Sequence, residues 1–323
     1  MKKNQITKLV NVFQEKYTNN IYCHGLGDYI RGSICLLQYA TMQQLDFCMY
    51  YDTHPIASFL ENKDIVSDDN IESNSLSLIH PYRVFFYNTD DHPHSNTLPN
   101  IQKKFTNIIH NNPGSIQTSA FTLYTNMFPA KPIMEYHKMR IRNALCPNLL
   151  MQDKINLCMS EMHISTNKYN VIHIRTGDEY LIHHGKLPFP KAMVECKRSF
   201  LQVFTEYELT NGKKEKNIEL DVEETFPFVL ISDNDELKKQ LKRAMPNLIV
   251  KHHPISHMGE NSLNMEDKDE VNTTVANTLV DFFIISKANA VYSFSTLGHG
   301  TGFSEQCCQI HNIQYSSYRF NFD

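Results

Sequence analysis

The residues best suited to chemistry lie in Tyr169–Tyr180, YNVIHIRTGDEY. Val171, Ile172 and Ile174 form a β-branched apolar run, and Thr176-Gly177-Asp178 is a turn that stops it. The stretch predicts a buried strand running out into a charged loop. His173 and Arg175 flank Ile174, so with a period of two they share one side of the sheet at the strand's carboxyl end. Ligands of open α/β sheets bind at that edge. A guanidinium there suits a planar polyanion such as a diphosphate, because its fork donates two hydrogen bonds at once. The competing assignment is structural: an Arg175–Asp178 ion pair, with His173 packed in the core.

Two further strand ends in the same half carry polar residues. Phe228 to Asp233 reads as a buried strand ending in Ser232-Asp233, followed by a helix over Asn234–Met245 and a third strand at Leu248–Val250. A long helix over Val271–Lys287 leads to a strand at Ala290–Ser293, then to the hydroxyl- and glycine-rich Phe294–Gly302 and a helix from about Phe303. Hydroxyls and glycines ahead of a helix suit a phosphate or a sugar. Alternation of strand and helix from 169 onward predicts a parallel sheet, with HIRTGD, ISDND and SFSTLGHG on one edge.

The first half offers a comparable unit. Ile21–Cys23 reads as a strand, His24-Gly25-Leu26-Gly27-Asp28 as a tight turn, Tyr29–Gln44 as a helix and Phe47–Tyr51 as a second strand. Glycines in such a turn permit positive φ and close approach of the backbone to a ligand. The turn is neither a GxGxxG fingerprint nor a P-loop. Asp28 as a plain helix cap is the bland alternative. Tyr82–Tyr87 predicts a strand, followed by Asp90-Asp91, which reads as a solvated loop or as a metal-holding pair. Helices are expected over Ser119–Met127, Ile133–Ala144, Asn148–Met162 and Pro190–Tyr207, and a charged surface insert over 211–224. His252, His253 and His257 read as a histidine-rich loop. The break at Ser165–Asn167 divides the chain into domains 1–166 and 167–323.

At 323 residues the chain can hold two domains or one large α/β domain. With 41% hydrophobic and 20% charged residues it has the balance of a soluble globular protein. A net charge of -4 argues against a broad nucleic-acid footprint, so an anion site must be local. No apolar run is long enough to span a membrane, and the start, MKKNQITKLVNVFQEKY, does not read as a signal peptide. The eight cysteines include no CxxC, which favours reduced, buried thiols and a cytoplasmic setting.

Taken in order, GLGDYIRG (25–32), HIRTGD (173–178), ISDN (231–234) and VYSFSTLG (291–298) resemble the fucosyltransferase superfamily. The nearest likeness is to the nodulation-type α1,6-fucosyltransferases and their protein O-fucosyltransferase relatives. The resemblance covers most of the chain as an ordered set of short motifs. It implies an α/β, GT-B-like fold of two Rossmann-like domains facing a cleft. The first domain would serve the acceptor and the second would bind the nucleotide sugar. It further implies GDP-fucose as donor, a glycan as acceptor, inversion at the anomeric centre, and neither metal nor cofactor. Carried over, the pattern gives Arg175 the pyrophosphate, His173 the nucleotide and Asp233 the guanine edge. Ser293, Phe294, Ser295 and Thr296 would line the diphosphate and fucose. Gly25, Gly27 and Asp28 would close the site from the first domain, with Arg31 a second positive group. The chain departs from its relatives at Thr176, where many carry a second basic residue, and at Gly298-His299-Gly300. A carboxylate is needed near the attacking hydroxyl, and Asp28, Asp178 and Glu179 are the candidates. The rival readings are a transferase for GDP-mannose or a UDP-sugar, with Asp90-Asp91 on a metal, and a non-catalytic GDP-sugar-binding relative.

Overall fold

The computed structural model describes residues 6–14, 24–61, 84–87, 96–117, 119–177, 189–211, 226–253, 268–296 and 301–320. The chain divides into two compact units. One comprises Met1–Lys154, Ser256–Val280 and Gln309–His311, and the other Ile155–Ile255, Asp281–Cys308 and Asn312–Asp323.

In the first unit the strands are β1 (Lys8–Val12), β2 (Asp46–Tyr50), β3 (Phe85–Tyr87), β4 (Ile116–Gln117) and β5 (Ala120–Thr125). Their order is β2-β1-β5-β3, all parallel, with the short β4 antiparallel to β5. Helix α1 (Leu26–Gln43) joins β1 to β2, so the expected βαβ unit is present. Its first strand is Lys8–Val12; the expected strand at Ile21–Cys23 lies outside the described residues. The helix predicted over Ser119–Met127 is instead strand β5. Its six residues are all buried, and Phe121, Thr122, Tyr124 and Thr125 are β-branched or aromatic. A strand covered on both faces shows no alternation, so spacing alone does not separate it from a buried helix. Helix α2 (Leu98–Asn111) begins at Thr97, whose hydroxyl accepts from the Asn100 amide at 3.4 Å, with Pro99 in its first turn. Helices α3 (Glu135–Ala144) and α4 (Leu149–Glu161) fall where the sequence places them.

The second unit holds β6 (Asn170–Arg175), β7 (Phe228–Ser232), β8 (Ile249–Val250), β9 (Ala290–Ser295) and β10 (Gln314–Arg319). All are parallel, in the order β10-β9-β6-β7-β8. The chain enters at the central strand, winds outward through β7 and β8, then returns to the other side of β6 as β9 and β10. That is the doubly wound pattern, and its reversal point lies between β6 and β9. Helix α5 (Phe189–Asn211) covers one face with Ala192, Cys196, Phe200 and Val203, packed on Ile172, Ile174, Leu230 and Phe294. Their spacing of four, four and three is the apolar stripe of a helix on a sheet. Helix α6 (Asp235–Ala244) is capped by Asn234, which accepts from the Leu237 amide at 2.9 Å. Asp235 and Glu236 stand in its first turn and Lys242 and Arg243 in its last, matching the helix dipole. Helices α7 (Lys268–Ile285) and α8 (Gly302–His311) complete the set of described α-helices. Among the described residues no helix is long and apolar enough to cross a membrane.

Candidate active site

Arg175 is the last residue of β6, the central strand, and pairs in register with Ser295 of β9. It therefore stands at the carboxyl edge, beside the reversal point. Its Nη1 lies 3.2 Å from Oδ2 of Asp233, and its side chain keeps 14% of its surface exposed. The structural partner expected from sequence, Asp178, lies outside the described residues, as does Glu179. Asp233 follows β7 and is tied to the turn after β6. The Thr176 amide donates to both of its oxygens, at 2.9 and 3.1 Å, and the Thr176 hydroxyl donates to Oδ1 at 2.9 Å. Both carboxylate oxygens are thus spent on Thr176 and Arg175. Asp233 thereby aims the guanidinium. Thr176 supplies two of the three groups that hold that carboxylate.

The third strand end is laced to the same turn. The Thr296 hydroxyl donates to the Thr176 carbonyl at 2.9 Å. Gly177 has φ +104, and a Cβ there would stand 3.0 Å from the Thr296 hydroxyl oxygen. Glycine is required on both counts. HIRTG, ISD and SFST are therefore joined by hydrogen bonds between their ends, as well as through the sheet.

His173 faces the same side but sits deeper, at 6% exposure. Its Nδ1 lies 2.9 Å from the Ser304 hydroxyl and 3.3 Å from that of Thr301. Ser293, its register partner on β9, lies 2.7 Å from Thr301 and 3.2 Å from Ser304. One imidazole and three hydroxyls thus form a buried cluster beneath the start of α8. Burial pushes the His173 pKa down to about 4, with the Arg175 charge adding to the effect and Asp281 opposing it. The ring is neutral at pH 7. Thr301 is the N-cap of α8 but makes no capping bond with its side chain, and a Cβ at Gly302 would meet nothing within 4 Å. Of the other residues assigned on this loop, Ser295 is buried beside Arg175. Phe294 faces away and is a core residue, stacked on Tyr318 and Phe320 at 4.8 and 4.9 Å. Alternation along β9 puts it opposite the two serines. Thr301 and Ser304 were not among the residues singled out from sequence. The signal was present as a hydroxyl-rich run opening a helix.

In the first unit, Gly25 is the N-cap of α1, with φ -63 and ψ 163, and Gly27 lies buried in the first turn. Neither glycine uses the positive φ that its residue type permits. The close approach comes later, at Gly32, where a Cβ would lie 1.6 Å from the Thr125 carbonyl oxygen. Asp28 is not the cap: it stands in the first turn and pairs with Arg31 at 2.6 Å. Arg31 is buried. Its Nε donates to the Asn126 carbonyl at 2.7 Å, and its guanidinium lies 4.1 Å over the Phe128 ring. That commitment is to its own unit rather than to a free positive charge.

His252 pairs with Asp235 at 3.0 Å and His253 with Asp281 at 3.1 Å, two separate contacts. His257, Asp90 and Asp91 lie outside the described residues. Among the described residues no three metal-ligating side chains gather. The seven described cysteines are free thiols, six of them buried.

No family model matches the sequence, and no curated protein matches it. Solved structures do match the fold. NodZ α1,6-fucosyltransferase soaked with GDP-fucose superposes with a TM-score of 0.52 at 11% identity, covering 95% of this chain and 93% of that one. Fucosyltransferase NodZ from Bradyrhizobium gives 0.51 at 10% identity, covering 94% and 92%. NodZ co-crystallised with GDP gives 0.51 at 11% identity, with the same coverage.

Proposed function

On the α/β, GT-B-like fold of the fucosyltransferase superfamily that this chain has, we propose an inverting transfer of fucose from GDP-fucose to a glycan, without a metal. The second unit holds the donor. Arg175 binds the diphosphate and neutralises the charge that grows on it as the anomeric carbon–oxygen bond breaks, the task a divalent cation performs elsewhere. Asp233 and Thr176 aim the guanidinium, so little reorganisation is needed at the moment of reaction. The start of α8, which has no side-chain cap, adds backbone N–H donors suited to phosphate oxygens. His173, neutral and tied to Ser293, Thr301 and Ser304, stiffens the strand end beneath the donor. The first unit serves the acceptor, with Asp28 as the carboxylate that takes the hydroxyl proton. The free thiols suit a reducing compartment such as the cytoplasm.

One observation carries this reading: a partly exposed, pre-aimed guanidinium at the carboxyl edge of the central strand, beside the reversal point of a doubly wound sheet. A thermal-shift panel tests it. GDP and GDP-fucose should stabilise the protein with EDTA present, by about 2.7 kcal/mol at a hundredfold excess over Kd. Stabilisation by UDP-sugars in place of GDP-sugars, or only with a divalent ion, would refute the assignment. Binding of GDP-fucose without any turnover would point to the non-transferring relative, which the pairing of Arg175 with a carboxylate also permits.

A further inference from the structure

We propose that Arg31 is a positioning residue that clamps one oxygen of Asp28 and leaves the other open to the acceptor hydroxyl. The inference rests on the fucosyl-transfer reading and assigns the acceptor side of that same reaction. Arg31 lies one turn beyond Asp28 on α1, with a side chain only 6% exposed against 32% for Asp28. A buried guanidinium must be satisfied within the protein. Here the Asn126 carbonyl, just past the end of β5, accepts from Nε at 2.7 Å, and the Phe128 ring lies beneath the guanidinium at 4.1 Å. These contacts fix the arginine to the carboxyl edge of the first sheet. Its remaining reach is to the carboxylate, with Nη2 at 2.6 Å from Oδ1. Among the described residues, Oδ2 takes no hydrogen bond. An ordinary pair three residues apart on a helix orders two mobile side chains and contributes little. In this pair one member is already anchored, so the other inherits a fixed direction.

A carboxylate held by one oxygen and open at the other is suited to general-base work. In the step proposed, the acceptor O–H bond breaks and its proton passes to Oδ2. The hydroxyl oxygen bonds to the anomeric carbon from the face opposite GDP. The bond from that carbon to the β-phosphate oxygen breaks, and its electron pair leaves with GDP. The proton then passes to solvent. Arg31 touches neither substrate and acts only through the placement of Asp28.

The test reads GDP release from GDP-fucose with water as acceptor, in wild type, Arg31→Gln, Asp28→Asn and the double variant. Arg31→Gln should lower kcat roughly a hundredfold and leave the GDP-fucose thermal shift unchanged. The double variant should be no slower than Asp28→Asn alone, because the two residues act as one. Losses that multiply in the double variant would overturn the proposal. So would a kcat indifferent to Arg31→Gln. If Arg31→Gln fails to fold, Phe128→Leu loosens the clamp while keeping the charge. Its loss of kcat should appear with Asp28 present and vanish in the Asp28→Asn background; equal loss in both backgrounds would overturn it. A wild-type protein that binds GDP-fucose yet ignores these changes contradicts this inference alone. One that neither binds nor turns over GDP-fucose removes the reading beneath it.

Discussion

Arg175 and Asp233 define how a single cation can be presented at a sheet edge without being lost to the interior. The guanidinium remains 14% exposed while its carboxylate partner is 6% exposed and anchored three further times by Thr176. Removing the carboxylate should therefore do more than remove a charge pair. Asp233→Ala removes the carboxylate 3.2 Å from the Arg175 guanidinium and leaves the Thr176 amide without its acceptor, and should destabilise the second unit by about 3 kcal/mol. Urea unfolding checks this; a midpoint within error of wild type would place the pair on the surface in effect. Sequence spacing put Arg175, His173 and Asp233 at strand ends. It did not reveal that Asp233 serves Arg175 and Thr176, because the partner of a carboxylate so far along the chain, 57 positions from Thr176, is set by sheet order, which no local pattern encodes. Arg31 is the same lesson reversed: a cation beside a glycine turn reads as available, and the fold spends it on Asp28, Asn126 and Phe128.

At the scale of elements, α1 carries the first unit's edge, and its closest packing is at Gly32 against β5. A methyl group there would stand 1.6 Å from the Thr125 carbonyl, which is backbone and cannot rotate aside. Gly32→Ala should cost at least about 3 kcal/mol, read as a fall in the denaturant midpoint. A neutral result would mean that helix and strand separate easily, and Asn126, the anchor of Arg31, would be no fixed point. The elements most legible in the sequence were those with a clear boundary: β6, β7 and β9, each an apolar run ending in polar residues, and α6, with Asn234 before it. Least legible was β5, buried on both faces, and β10, Gln314–Arg319, whose exposed and half-buried alternation lacks an apolar run altogether. Its role as an edge strand beside β9 explains that composition.

Across the whole molecule, each unit buries a neutral imidazole. Burial lowers His173 in the second unit to about 4 and His54 in the first to about 3, both from 6.5. In the first unit the Ile56 amide donates to Nδ1 of His54 at 3.2 Å, and its ring stacks on Phe13 at 4.1 Å. The unfolded chain takes up these protons near pH 6.5, and the folded chain takes up the first only near 4. Between those values unfolding binds protons, so stability falls as the pH drops, by about 1.4 kcal/mol per unit for each ring. Unfolding followed from pH 7 to pH 4 should show this slope, and His173→Asn should reduce it. A profile that is flat below pH 6.5 would mean that the rings are not buried as neutral groups.

The central claim is that one guanidinium at the edge of the second sheet supports departure of GDP without a metal ion. GDP release from GDP-fucose in EDTA, with water and with a panel of oligosaccharides as acceptors, measures this in wild type and Arg175→Ala. Turnover by the wild type in EDTA, and a drop in kcat/KM corresponding to about 2–4 kcal/mol in the variant, are the expected results. Turnover that needs a divalent ion, or that survives the loss of Arg175, would contradict the account.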